Sequence, residues 1–102
     1  MALKIIPPLP GSLVRHKILK PLKIRQADLA KAMGMSTVRI NHIVNGRAPI
    51  TPETALRLAR VTNTAAEYWL ALQTEFDLHR TRRRLARTLE GLQPLVDELP
   101  SD

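Results

Sequence analysis

Residues 25 to 46, RQADLAKAMGMSTVRINHIVNG, read as two short helical patterns interrupted at Gly34-Met35. In the first, Leu29, Ala30 and Met33 share one face, while Asp28 and Lys31 make an ordinary wet side. Gly34 stands where a left-handed residue closes a helix, and Ser36 offers a hydroxyl cap to the next one. In the second pattern Ile40, Ile43 and Val44 fall at i, i+3 and i+4, which fixes a buried stripe. A step of about 100° per residue turns Val38, His42 and Asn45 away from that stripe, with Arg39 and Asn41 on its flanks. Such a face has little value for solubility alone. Two helices joined through a glycine turn, the second presenting donors and acceptors outward, describe a helix-turn-helix. The second helix of such a pair enters the major groove with its N-terminal residues against base edges.

Side-chain chemistry suggests a role for each outward residue. Arg39 can fork onto the two acceptors of a guanine, a contact worth about 1–3 kcal/mol of discrimination. Thr37, near the helix start, can meet a base edge or a phosphate, and Asn41 and His42 can read adenine or serve the backbone. Val38 is an apolar, β-branched side chain at the centre of a wet face, and a thymine methyl suits it. Single exposed apolar residues are common, so its polar neighbours are what favour the groove-facing reading. Gln26, at the first turn of the first helix, and Arg47, just after Asn45-Gly46, fit phosphate contacts that set orientation without reading sequence.

The remainder of the chain also reads as helix. Sustained alternation is missing and the aromatic residues are only Tyr68, Trp69 and Phe76, so strands are not expected. Residues 1–10, with three prolines, form an N-terminal arm. A first helix is expected from Gly11 or Ser12 to about Leu19, with Leu13, Val14 and Ile18 inward, stopped by Pro21. The helix-turn-helix pair spans about Gln26–Met33 and Thr37–Asn45. Thr51-Pro52-Glu53 starts a fourth helix with a hydroxyl cap, a proline where no donor is needed and an acid near the positive end. That helix ends near Thr62-Asn63. Thr64-Ala65-Ala66-Glu67 has the form of a capping box, so a fifth helix starts there and continues past Arg87. The expected architecture is all-α: a five-helix domain over residues 11–79, with a basic helical extension and acidic tail over residues 80–102.

Charge is distributed unevenly along these 102 residues, whose net value is +7. Residues 1–60 hold eleven Lys/Arg against Asp28 and Glu53. Residues 61–79 are acidic through Glu67, Glu75 and Asp77. Arg80, Arg82, Arg83, Arg84 and Arg87 then precede an acidic tail with Asp97, Glu98 and Asp102. An excess concentrated on one segment points to a polyanionic partner, since each phosphate neutralised releases counterions. There is no cysteine, which excludes disulfides and thiolate metal sites and fits a reducing compartment. The start, MALKIIPPLP, lacks an apolar stretch of signal-peptide length, and no run approaches a membrane span. The expectation is a soluble cytoplasmic protein. An enzyme is not expected: His16, His42 and His79 are scattered, and neither a metal-ligand spacing nor a glycine-rich phosphate loop is present. No cofactor, metal or small-molecule ligand is implied.

The fifth helix carries two patterns. Trp69, Leu70, Leu72 and Phe76 supply much of the apolar mass of a small core. Further on, Leu78, Leu85, Leu89, Leu92, Val96 and Leu99 recur at sevens, fours and threes, the spacing of a helix–helix seam that Pro94 interrupts. Operators read by this motif are normally two half-sites about one helical turn apart, which calls for a dimer. Leu70, Phe76, Leu85, Leu89 and Leu92 are the candidates for its contact.

These stretches resemble a family. The helix-turn-helix spacing, followed by INHIVNGRAPIT and ALRLAR, resembles the phage-repressor-type (XRE, lambda-repressor-like) regulators. Pro10-Gly11, then INHIVNGRAPITPETALRLARVTNT and AEYWLALQTEFDL, is similar to the HigA/VapI antitoxins of bacterial toxin–antitoxin pairs. The resemblance covers roughly residues 7–79. It implies a five-helix DNA-binding homodimer that represses its own operon from a palindromic operator. It also implies binding to a partner toxin, typically a ribosome-dependent mRNA-cleaving enzyme. By position, Gln26, Ser36, Thr37, Val38, Arg39, His42, Asn45 and Arg47 fall where the family's DNA contacts usually lie. Arg25 stands where the family commonly has Ser or Thr, and Leu9 where it often has His.

Two alternatives belong to other classes: a free-standing XRE-type regulator without a toxin, and an interaction protein whose basic face binds an acidic partner. A chain of net +7 offers a basic toxin no bulk attraction. Contact with one would use local surfaces, such as the Glu67–Glu75–Asp77 segment or the acidic tail.

Overall fold

The computed structural model describes residues 6–101, and the described residues hold helices and turns without strands. The arm expected over residues 1–10 lies partly outside them. The first helix begins at Pro10 rather than Gly11, with the proline at the first helical position, where its missing N–H is no loss. It runs as α1 (Pro10–Val14) and widens into a π-helical turn over Arg15–Leu19. Then follow α2 (Gln26–Met33), α3 (Thr37–Val44), α4 (Pro52–Thr62) and α5 (Ala66–Glu90).

Val14, Ile18, Leu29, Met33, Ile40, Ile43, Val44, Ile50, Leu58 and Trp69 meet in one core. Each such fully buried aliphatic side chain contributes about 1.5–3 kcal/mol relative to exposure. That packing matters most for α3, because Thr37, Val38, Ile40, Ile43 and Val44 are β-branched and poor intrinsic helix formers. Trp69 is 1% exposed. Its indole N–H donates to the Thr64 hydroxyl at 2.8 Å.

That bond corrects the capping box expected at Thr64. The hydroxyl of Thr64 is occupied by the indole and by Thr62, and α5 starts from Ala65 with no side-chain cap. A buried indole donor must find a partner, and that demand outweighs an exposed cap. Further along, α5 passes residue 80 without a break and ends at Glu90, with Gly91 as its C-cap, ahead of Pro94. Its 25 residues span about 37 Å. The radius of gyration is 17.3 Å, against about 13 Å for a compact chain of this size. The second half of α5 and the segment after it extend from the core, since nearly every residue over 82–101 is exposed.

Candidate nucleic-acid interface

The turn between α2 and α3 is built as its residues require. Gly34 has φ 68°, a left-handed conformation that suits glycine, and Met35 N–H returns to the Ala30 carbonyl at 2.9 Å. Arg57, one turn into α4, donates to the Met33 carbonyl at 2.8 Å and so covers the negative end of α2. On the other side of the turn, Ser36 Oγ accepts from Arg39 N–H at 3.1 Å, the cap anticipated for α3.

Packing of Ile40, Ile43 and Val44 leaves Ser36, Thr37, Val38 and Arg39 exposed together at the N-terminal end of α3. Val38 is 65% exposed, so its apolar side chain does stand on the wet face. Asn41 and His42 are half-buried. The chain after α3 folds back on His42, whose carbonyl accepts from Arg47 N–H at 2.7 Å and Ala48 N–H at 3.2 Å. That turn leaves Arg47 exposed at the edge of the same surface.

Two side-chain contacts join this surface to its neighbours. Asn41 Nδ2 donates to Gln26 Oε1 at 3.1 Å, tying the start of α2 to α3. Asn45 accepts from Arg15 at 3.0 Å and donates to the Asn41 carbonyl at 3.0 Å, so its amide is engaged within the molecule. The helical periodicity placed Asn45 outward, but it could not show that the π-helical turn of the first helix brings Arg15 to it. At the first turn of α2, Arg25 takes the cap position without capping. Its guanidinium pairs with Asp28 at 3.0 Å, and that hydrogen bond holds the Asp28 carboxyl below the ordinary aspartate range.

Gln73 braces the chain next to this surface, which the sequence did not announce. It is buried in α5, where its Oε1 accepts from Ile50 N–H at 2.9 Å and its Nε2 donates to Asp77 at 3.0 Å. The segment from Arg47 to Ile50 is thereby fastened to α5. A signal existed in its place one helical turn after Trp69, on the same face. Of the residues expected at a dimer contact, Leu70, Phe76 and Leu85 are partly buried, and Leu89 and Leu92 are exposed. By helical position Leu70, Leu85 and Leu89 fall on one side of α5 and Phe76 on the other, while Leu92 lies beyond its end. Among the described residues, no group of acidic and histidine side chains is arranged to hold a metal ion. No described helix is long and apolar enough to cross a membrane.

A short capped helix presenting an exposed polar row, braced by a glycine turn and a second helix, defines a helix-turn-helix domain. The family described as helix-turn-helix matches residues 16–69, just over half of the chain. Virulence-associated protein I of Dichelobacter nodosus is 45% identical over 69 residues, 68% of this chain and 64% of that protein. Antitoxin HigA-1 of Vibrio cholerae is 30% identical over 89 residues, 87% of this chain and 84% of that one. Among solved structures, Pseudomonas aeruginosa antitoxin HigA with the higBA promoter superposes with a TM-score of 0.83 at 31% identity. It covers 88% of this chain and 99% of that one. The antitoxin GraA in complex with its operator gives a TM-score of 0.83 at 32% identity, over 94% and 98%. The chain belongs to the XRE-type helix-turn-helix family, among relatives that include HigA antitoxins and virulence-associated protein I.

Proposed function

We propose that this protein is a DNA-binding repressor of the antitoxin type, which binds a palindromic operator as a homodimer and also binds a partner toxin. The observation that carries the reading is the exposed row Ser36–Arg39 at the capped end of α3, held from behind by Ile40, Ile43 and Val44. Relatives of the same fold are described with a promoter or an operator bound, which supports it. The protein works in the cytoplasm, has no catalytic role and needs no cofactor.

The contacts divide by chemistry. Thr37, Val38 and Arg39 reach base edges, with Arg39 forked on a guanine and Val38 against a thymine methyl. Ser36, Gln26 and Arg47 hold phosphates, and His42 serves the backbone. Asn41 keeps its oxygen free while its amide nitrogen is bonded to Gln26. Asn45 is held by Arg15 and by the Asn41 carbonyl, and its second amide hydrogen and second oxygen lone pair serve the duplex from an exposed position.

Footprinting the DNA upstream of the reading frame tests repression. Two protected patches about one helical turn apart are expected, and an unprotected segment contradicts autoregulation. Arg39→Ala is expected to relax preference at one base position. Equal losses on specific and random duplexes would reduce Arg39 to a phosphate contact. Co-purification of a product encoded next to this frame tests the toxin. Its absence, with operator binding intact, favours a free-standing regulator.

A further inference from the structure

The face of α5 that is buried in its first half does not end with the body of the domain. Trp69, Gln73, Phe76, Arg80, Arg83 and Arg87 recur at alternating spacings of four and three, which puts them on one continuous stripe. Trp69 and Gln73 are buried, Phe76 is half-buried, and the arginines are exposed. Leu78, Leu85 and Leu89 run along the opposite side of the helix. Beyond Phe76, α5 therefore carries Arg80, Arg83 and Arg87 on the side away from Leu78, Leu85 and Leu89, and Arg82 alone of its arginines stands among those leucines.

The guanidinium flank has a defined place. Phe76 and Arg80 form one wall of a hollow whose other wall is the turn after α3, including Arg47 and Pro49. The arginine stripe thus continues from the side of the domain that carries Arg47. Arg80 is committed locally: it lies over the Phe76 ring at 5.1 Å and 3.6 Å from Asp77. Arg83, Arg84 and Arg87 have no carboxylate partner among the described residues. Like charges one turn apart destabilise a helix, and these arginines have no core packing in return. A row of phosphates removes that repulsion and releases counterions as well.

We propose that Arg83, Arg84 and Arg87 form a second phosphate-binding surface, which tracks the duplex backbone flanking the footprint of α3. This rests on the operator-binding reading. The three arginines supply affinity and salt dependence but carry no base preference. Arg84 joins the stripe because it stands one turn from both Arg80 and Arg87.

The test titrates the full-length chain against a duplex of the sequence upstream of its reading frame, at salt from roughly 0.05 to 0.2 M. Wild type is compared with R83Q/R84Q/R87Q and with R83K/R84K/R87K. The glutamine variant is expected to bind about tenfold more weakly or worse, with a log K against log salt slope shallower by about 0.9 for each phosphate no longer neutralised. Its order of preference among single-base variants of the duplex stays that of wild type. The lysine variant keeps the wild-type slope. Helical circular dichroism of the glutamine variant stays intact, since the replaced side chains are exposed. An unchanged slope and affinity in the glutamine variant overturn the proposal while leaving the α3 reading standing. So does an unchanged slope accompanied by loss of a co-purifying protein, which assigns the arginines to an acidic protein surface. Failure of wild type to bind the duplex instead removes the operator-binding reading itself.

Discussion

Asn41 on α3 donates its side-chain amide to the amide oxygen of Gln26, 3.1 Å away at the first turn of α2. The bond spans the glycine turn and ties the start of α2 to α3. It also leaves Gln26 Nε2 free to donate outward. One side chain can therefore hold a phosphate and orient its neighbour together.

Gln26→Ala is accordingly expected to weaken binding to the preferred duplex about tenfold, the worth of one or two modest hydrogen bonds. Fold stability should change by less than about 1.5 kcal/mol, because the pair is only partly buried. Gln26→Glu keeps the acceptor for Asn41 but sets a negative charge towards the backbone. It should lose duplex affinity at unchanged stability, as read by anisotropy and urea denaturation.

Gln73 fastens the turn behind Arg47 from inside the protein. Gln73→Leu leaves the Ile50 N–H without its acceptor and is expected to cost about 1–3 kcal/mol in denaturant unfolding. Gln73→Glu retains an acceptor for Ile50 but loses the donor to Asp77 and sets two acids one turn apart. Its stability should fall as pH rises through the carboxylate range, whereas that of Gln73→Leu should show no such added dependence.

Gly11 sets how closely the first helix approaches α3. A Cβ there would stand 1.8 Å from the Ile43 carbonyl oxygen, which is backbone and cannot swing aside. Gly11→Ala is expected to destabilise by about 3 kcal/mol or more, at the upper end of overpacking costs. A melting temperature within about 2 °C of wild type, below the shift that a 1 kcal/mol change brings, would contradict the close approach.

Acid pH reaches α2 through Asp28. The hydrogen bond from Arg25 lowers the folded-state pKa of its carboxyl. A group whose folded pKa is depressed stabilises above its unfolded pKa and loses that contribution as pH falls through the folded value. Carboxyl NMR titration should give Asp28 a midpoint below that of an ordinary aspartate, and Arg25→Ala should move it up. Both side chains are well exposed, so the accompanying change in unfolding free energy is small.

Elements with local signals were legible in the sequence. Gly34 and Ser36 bound the turn, and Thr51-Pro52 opens α4, because caps and left-handed residues act within a few positions of themselves. Ile40, Ile43 and Val44 likewise settled which side of α3 is free. What periodicity could not supply were partnerships across 23 to 30 residues: Gln73 with Ile50, Arg57 with Met33, and Arg15 with Asn45. Thr64 shows the same limit at short range, where a tertiary demand from Trp69 displaced a motif that was locally well formed. Asn45 meets Arg15 through a contact that the pattern could not foretell, whereas Thr37, Val38 and Arg39 stay exposed as the pattern required.

The central claim is that the exposed end of α3 lies in a duplex groove. Amide chemical-shift mapping, with a duplex recovered from a random-sequence pool added to the isotope-labelled protein, tests it most directly. Changes concentrated at residues 36–42 and at Arg47, with the core amides of α4 undisturbed, are predicted. A duplex that binds specifically yet perturbs some other face, leaving Thr37, Val38 and Arg39 at their free positions, would contradict it.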